Sequence, residues 1–155
     1  MTIDARLAEL GIVIAETTAP VANYVTSRLL GNQLFISGHL GKRDGDVVTS
    51  SVGDDVDVDT AYDLARSAAI DLLGTARAAL GTLDSVAVVK LTGFVHSAPT
   101  FTGQPAVING ASDLLVAVLG AERGRHARSA IGVAQLPLGA AVEIEAIFEV
   151  IGPLA

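Results

Sequence analysis

The sequence predicts an α+β domain with two layers, in which a mixed β-sheet carries two helices packed on one face. Two observations support this prediction. Segments rich in β-branched residues come in pairs, and two long segments with helical spacing of apolar residues separate them. The order after a short N-terminal segment is therefore two strands, helix, strand, helix, two strands. The chain of 155 residues is long enough for one such domain with a sizeable core.

The N-terminal third predicts a short helix followed by a β-hairpin. A helix capped by Thr2 or Asp4 is expected to end near Gly11, and the apolar run 12–15 suggests a short first strand. Residues 23–30 and 33–38 predict two strands. Gly31 and Asn32 between them are typical of a two-residue hairpin turn.

A long helix is predicted to begin at Asp57 or Asp59 and to end before Gly81. Aspartates crowd its first turn, where the helix dipole favours negative charge. The residues predicted to form its buried face recur at helical spacing: Val58, Ala61, Tyr62, Ala65, Ala68, Ala69, Leu72, Leu73, Ala76 and Leu80.

The C-terminal half predicts a strand, a second helix and two closing strands. Residues 86–94 are rich in β-branched side chains. The second helix begins at Gln104 and Pro105, because proline is tolerated in a first turn, and it is expected to end at Gly120. Residues 127–136 and 141–151 then form two strands.

Composition excludes several classes of function. The net charge of −7 repels phosphate backbones, which argues against a nucleic-acid partner. No cysteine is present, and the three histidines are far apart in the sequence, so no metal site is expected. The sequence has no secretory pattern and no apolar run long enough to span a membrane. We therefore expect a cytoplasmic protein without a membrane partner. The sheet face without helices needs cover, which favours association of subunits.

Arg128 lies at the head of a strand whose alternate residues are very small. Arg128, Ala130 and Gly132 point to one side, whereas Ser129 and Ile131 point to the other. One interpretation is that the small residues leave room for a small ligand held by the arginine. The alternative is that they allow close packing and that Arg128 is a surface charge at the strand end.

The last strand alternates glutamates with apolar residues. Glu143, Glu145 and Glu149 share one face, and such alternation usually indicates a strand with one face in solvent. A glutamate in a pocket would instead need a partner or a raised pKa. Spacing does not fix whether Glu143 and Arg128 share a face within one chain.

A small basic cluster precedes this strand pair in an otherwise acidic protein. It contains Arg123, Arg125, His126 and Arg128. The cluster is either a solvated loop or a region that attracts an anionic substrate.

The C-terminal segment resembles the signature of the RidA/YjgF family of reactive-intermediate imine and enamine deaminases. That pattern has Ala-Arg-Ser/Thr, a β-branched stretch, Leu-Pro, and then Val/Ile-Glu-Ile-Glu-Ala. The chain has Ala127-Arg128-Ser129, Leu136-Pro137 and Val142-Glu143-Ile144-Glu145-Ala146 in the same order. Tyr24 followed by Gly31 to Gly38 looks like the family's early hairpin.

The resemblance covers residues 19–152, which leaves 1–18 as an N-terminal extension of a single domain. It implies a chorismate-mutase-like fold and a homotrimer with clefts between subunits. It also implies hydrolysis of intermediates such as 2-aminoacrylate and its imine to 2-keto acids and ammonia, without a cofactor. The substrate would be a small metabolite that carries a carboxylate.

The resemblance also implies roles for individual residues. Arg128 would bind the substrate carboxylate, and Glu143 would orient or activate the attacking water. The other residues expected at the cleft are Tyr24, Ser37, Gly38, Asn109 and the backbone of Ala130. The alternative function is a non-catalytic module that binds a keto acid or regulates a partner.

Two departures point to a divergent subgroup of the family. Many members have cysteine where this chain has Ala130. The segment from Phe101, another candidate pocket residue, to Arg128 is longer than usual and is expected to include a loop at 122–126. These differences bear on which substrate the protein uses.

Overall fold

A computed structural model of the chain describes residues 2–15 and 22–152. Helices α1, α2 and α3 and strands β1 to β7 follow one another in this order: α1 Ile3–Glu9, β1 Ser27–Leu30, β2 Gln33–Leu40, β3 Lys42–Arg43, β4 Asp46–Val47, α2 Val58–Leu80, β5 Val86–His96, α3 Gln104–Gly124, β6 Ala127–Val133 and β7 Val142–Val150. A short 3₁₀ turn, Pro137–Gly139, joins the last two strands. The predicted α+β class is confirmed.

Five strands form one mixed sheet in the order β1-β2-β7-β5-β6. Strands β5 and β6 are parallel, and the other neighbouring strands are antiparallel. The parallel pair requires a crossover between its strands, and α3 supplies it. Helices α2 and α3 pack against each other and against the sheet, so the chain forms the expected two layers.

Helix α2 begins and ends where local chemistry favours it. The side chain of Asp57 accepts a hydrogen bond of 2.7 Å from the backbone N–H of Thr60, which caps the first turn. Gly81 ends the helix in the left-handed conformation, at φ 75°, which glycine adopts at little cost. Both predicted ends of this helix are confirmed.

Helix α3 extends further than the sequence predicted. Pro105 lies in its first turn, as expected, and Gly120 interrupts the helical backbone at φ 81°. A further turn then continues to Gly124, so most of the loop predicted at 122–126 is wrong. The glycine breaks the helix without ending it, because the chain resumes helical geometry immediately afterwards.

The predicted strand boundaries before α2 need three corrections, and beyond it β5 continues to His96 and β6 ends at Val133. Residues 12–15 form no strand, and Ile12 contributes a buried side chain instead. The first sheet strand begins at Ser27 rather than at residue 23, whereas β2 continues beyond Gly38 to Leu40. The Gly31-Asn32 turn between β1 and β2 is confirmed.

The core lies between the two long helices and one face of the sheet. Its largest fully buried side chains come from both layers: Phe148, Leu34, Leu64, Leu72, Leu73, Leu91, Ile108, Leu115 and Ile144. The N-terminal segment joins the same cluster through Ile3 and Leu7. The division of the chain into an extension, 1–18, and a core, 19–152, stays a prediction, and residues 16–18 lie outside the described ranges.

The opposite face of the sheet has no helix over it among the described residues. Phe35 is 38% exposed there and Ile131 is 43% exposed. Large apolar side chains at this level of exposure on one face are typical of a contact surface.

Helix α3 has the length and mean hydropathy of a membrane-spanning helix. Its apolar residues Val107, Ile108 and Leu115 are buried against the rest of the fold. The composition of α3 is therefore that of a core helix that packs against α2 and β5.

The contact between α2 and α3 depends on Gly110, because a Cβ atom there would overlap the backbone carbonyl of Tyr62. Replacing a helical glycine by alanine normally stabilises a helix. We expect Gly110→Ala instead to lower the free energy of unfolding by about 1–3 kcal/mol, since the helices must separate. Chemical denaturation measures this change, and an increase in stability would contradict the packing described.

Candidate functional site

The predicted site residues divide into two groups on opposite faces of the sheet. Arg128 and Ala130 pair with Leu91 and Gly93, and all four positions face the helices. Glu143 is on the other face of β7, since Val142 and Ile144 beside it are buried beneath the helices. Within one chain, strand alternation therefore keeps the arginine and the glutamate apart.

Some of the small residues around Arg128 allow close packing beneath α3. A Cβ atom on Gly93 would overlap Ile108 of that helix. A Cβ atom on Gly132 would lie only 2.7 Å from the side-chain nitrogen of Gln104. Close packing is supported at Gly93 and at Ala130, which packs against the core, whereas Gly132 is exposed and lines a depression at the end of β6.

Arg128 is nevertheless held in a defined position by α3. Its Nη1 donates hydrogen bonds to Oδ1 of Asn109, at 2.8 Å, and to Oγ of Ser112, at 3.1 Å. Its Nε and Nη2 have no acceptor in the part of the chain that the structure describes. The guanidinium therefore retains the edge formed by Nε and Nη2. The parallel N–H donors of this edge can bind a carboxylate in a bidentate manner.

Ser112 and His126 join this group; the sequence pattern had indicated only His126, as a member of the basic cluster. Nε2 of His126 lies 3.1 Å from Oγ of Ser112, and Nδ1 lies 2.6 Å from the backbone oxygen of Gly124. Burial lowers the pKa of His126, and the charge of Arg128 contributes in the same direction. The spacing from Asn109 to Ser112 places both on one helical face, which is the signal that could have identified Ser112.

Strand β6 is one of the two edge strands of the five-stranded sheet. The backbone oxygen of Val133 accepts a hydrogen bond from the N–H of Ser97, the residue that follows β5. This peptide oxygen therefore points toward β5. Because backbone groups alternate along a strand, those of Ala130 point away from β5, toward the open edge. A backbone contact to a ligand at position 130 is compatible with this direction.

Glu143 is half-buried on the face without helices. Its carboxylate has no hydrogen-bond or ion-pair partner among the residues described, and it packs so closely on Gly38 that a Cβ atom there would overlap it. Burial raises the pKa of Glu143, and the negative charge of Glu145 raises it further. A carboxyl group with a raised pKa is suited to accept and return a proton near neutral pH.

Strand β2, which pairs with β7 beside Glu143, contains a β-bulge between Ile36 and His39. Nδ1 of His39 lies 2.8 Å from the backbone oxygen of Ser37 and stabilises this bulge. The hydroxyl of Ser37 donates a 2.7 Å hydrogen bond to the backbone oxygen of Val25, which fixes the segment before β1. Tyr24 lies in that segment and is 56% exposed. Three predicted residues, Ser37, Gly38 and Glu143, are thus brought together.

Two cavities formed by the described residues have neither Arg128 nor Glu143 in their walls. One, of about 250 Å³, lies on the face without helices and has Ser37 and Glu145 in its wall. Another, of about 610 Å³, is a wide depression at the end of β6 that is lined in part by Phe101. Neither of these two cavities therefore encloses all the predicted residues.

Metal ligands are not clustered in the described residues. No group of three or more histidine, aspartate or glutamate side chains lies close enough together to hold an ion in residues 2–15 and 22–152.

Residues 15–150 match the sequence profile of a family described as Endoribonuclease L-PSP. The chain belongs to this family, which is also called YjgF/RidA. The resemblance found in the C-terminal motif is confirmed by this match, and the α+β fold agrees with it.

Relatives of the chain span almost its whole length. Protein TCP17 of Trypanosoma cruzi is 49% identical over 94% of this chain and 92% of its own. The crystal structure of Atu1372 from Agrobacterium tumefaciens, a protein of unknown function, is 48% identical, with a TM-score of 0.86 over 97% of this chain and 94% of that one. TdcF of E. coli, solved with bound serine, is 25% identical, with a TM-score of 0.60 over 88% and 94%. The chain thus resembles Atu1372 more closely in structure than it resembles TdcF.

The unpaired carboxylate of Glu143 is expected to cost stability at neutral pH. Because its folded-state pKa is raised, the folded protein loses stability as pH rises from about 4.5, the ordinary glutamate value, through the raised pKa. We expect Glu143→Gln to unfold at a higher temperature than the parent at pH 7, with the difference disappearing below pH 4.

The matched control for this measurement is Glu122→Gln on the exposed surface of α3. It removes the same charge without relieving burial. Thermal unfolding of both variants at several pH values separates the two effects, and equal behaviour of the two variants would contradict the environment assigned to Glu143.

Proposed function

We propose that the protein hydrolyses small imines and enamines that carry a carboxylate, of the 2-aminoacrylate type, to 2-keto acids and ammonia. The observation that carries the proposal is the guanidinium of Arg128, which α3 holds through Nη1 alone. Its remaining edge matches a planar carboxylate. The bound serine of TdcF, a small amino acid with the same group, supports this choice of ligand for a relative.

In this proposal Glu143 acts first as a general base and then as a general acid. Its carboxylate takes a proton from water as the oxygen attacks the imine carbon, and the C=N bond becomes the C–N bond of a carbinolamine. The carboxyl group returns this proton to nitrogen, which completes the carbinolamine. The carboxylate then takes the proton of the carbinolamine hydroxyl and delivers it to nitrogen, so that the C–N bond breaks, ammonia leaves and the carbonyl forms. The raised pKa of Glu143 makes its carboxylate a stronger base for these transfers.

A complete site on this proposal needs two copies of the chain. Arg128, Asn109 and the outward backbone of Ala130 form one half, and the Gly38–Glu143 cluster on the open face forms the other. We propose that a homotrimer brings the edge strand of one copy to the open face of the next. The exposed Phe35 and Ile131 on that face favour such association.

Imine hydrolysis is preferred over RNA cleavage, although the family's description names an endoribonuclease. The net charge of −7 opposes approach of a polyphosphate backbone but permits a local site for one small anion. Imine hydrolysis is also preferred over simple keto-acid binding, because the arginine alone would be sufficient to bind a carboxylate. A raised-pKa glutamate adds nothing to that affinity. The chemistry proposed needs no cofactor.

The direct test generates 2-iminopropionate in solution and follows its disappearance with and without protein. We expect acceleration by the parent, with kcat/KM reduced roughly 100-fold or more in Arg128→Ala and in Glu143→Gln. Arg66→Ala on α2 removes an arginine elsewhere and is expected to retain activity. Keto-acid binding without any acceleration would favour the binding module, and full activity in Arg128→Ala would refute the role of the arginine.

The pH dependence of the reaction tests the role of Glu143 separately. As a base it acts when ionised, so kcat/KM should fall on the acid side through its raised pKa. Glu145→Gln removes the nearby negative charge, lowers the pKa of Glu143, and should move this acid limb to lower pH.

The control for the pH profile is Glu149→Gln, at a glutamate of the same strand whose carboxylate accepts a hydrogen bond from Asn32. Its acid limb should coincide with that of the parent. A limb that shifts equally in both variants, or in neither, would contradict Glu143 as the titrating base.

A further inference from the structure

The side chain of Arg128 is the start of a chain of hydrogen bonds that leads away from its carboxylate-binding edge. Nη1 contacts Oγ of Ser112 at 3.1 Å, and that oxygen contacts Nε2 of His126 at 3.1 Å. Nδ1 of His126 contacts the backbone oxygen of Gly124 at 2.6 Å. We call these three contacts the Arg128 relay.

The chemistry at the two ends, together with a neutral imidazole, sets the direction of the hydrogen bonds in the relay. An arginine can only donate, so Oγ of Ser112 accepts from it and must direct its own hydrogen elsewhere. A peptide carbonyl can only accept, so Nδ1 of His126 carries the proton that Gly124 receives. Nε2 of the neutral ring is then the acceptor for the Ser112 hydroxyl. Burial lowers the pKa of His126, which agrees with a neutral ring.

The relay limits how the guanidinium can turn. Asn109 and Ser112 together use both hydrogens of Nη1, and they lie one turn apart on α3. The two acceptors together restrict the plane of the guanidinium, and both contacts use Nη1, so Nε and Nη2 keep their donors for a ligand. Without Ser112 the arginine keeps one partner and regains freedom to rotate.

The position of His126 depends on the last turn of α3. Gly120 interrupts the helix at φ 81°, and the following turn ends at Gly124, whose oxygen holds the imidazole. A Cβ atom on Gly124 would lie 2.6 Å from the backbone oxygen of Leu115, so this turn packs tightly on the body of the helix. The extra turn before the arginine thus supplies the far end of the relay.

We propose that Ser112 and His126 are positioning residues for Arg128, which orient its free edge toward the carboxylate of the substrate. The inference rests on the proposed function for the identity of the ligand. Because the relay acts on binding of the carboxylate and touches no reacting atom, it should affect KM and leave kcat nearly unchanged.

The kinetic test compares Ser112→Ala, Ser112→Thr and His126→Ala with the parent in imine hydrolysis. Loss of one hydrogen bond to a charged group predicts a KM increased by roughly 3- to 30-fold in Ser112→Ala, with kcat within about twofold. Threonine keeps the hydroxyl and should restore most of the affinity. Ser67→Ala, at a serine of α2 hydrogen-bonded to the backbone of Leu64 and Lys42, is the matched control and should resemble the parent.

A second measurement separates failure of the relay from failure of the proposed function. In NMR spectra of the ¹⁵N-labelled protein, His126 should have its proton on Nδ1, and the Nε–H signal of Arg128 should be sharp. In Ser112→Ala the arginine signal should broaden or move toward that of a freely rotating side chain. These signals are measured without substrate, so they test the position of the arginine even if the protein hydrolyses no imine.

Two NMR results would overturn the relay. One is a proton of His126 on Nε2, and the other is an arginine signal that does not change in Ser112→Ala. A decrease of kcat without any change in KM would also overturn it. Absence of turnover by the parent, together with the predicted NMR signals, would reject the deaminase activity and retain the positioning of the arginine.

Discussion

The alternation of side chains along β-strands is the constraint on which the arrangement of this site depends. Arg128 on β6 faces the helices, and Glu143 on β7 faces away from them. No rotation of side chains moves either group through a packed sheet. On the proposed function, a single copy therefore carries two half-sites, and the proposed chemistry requires that the half-sites of different copies be joined. Edge position and an uncovered apolar face are the features of the fold that make such joining possible.

The two half-sites solve different physical problems. The arginine is held by neutral acceptors, Asn109 and Ser112, which orient the guanidinium without neutralising its charge. The glutamate is placed without a partner, against Gly38, so burial and a like charge raise its pKa. Orientation favours binding and the raised pKa favours proton transfer. Each arrangement leaves a polar group less satisfied than stability alone would require.

Periodicity was sufficient to predict the layers, the two long helices and the faces of the last two strands. Asp57 and Gly81 fixed the ends of α2 because capping acts over a few neighbouring residues. The extension of α3 beyond Gly120 could not be predicted, because it depends on packing of Gly124 against a distant part of the same helix. The Ser112–His126 contact was missed for a similar reason, since a helix and a loop meet there only after folding. The family resemblance identified Glu143 among three glutamates that the strand pattern treats alike.

Mixing two inactive variants tests the central claim, a site shared between copies, most directly. Arg128→Ala lacks the carboxylate anchor and Glu143→Gln lacks the base, so each alone should be inactive. If equal amounts are unfolded together and refolded, random assembly in a cyclic oligomer should pair an intact Arg128 with an intact Glu143 at about a quarter of the shared sites. Imine hydrolysis restored to about that fraction of the parent is the predicted result. No recovery in an oligomer shown to contain both variants would place both residues in one chain's site and contradict the account.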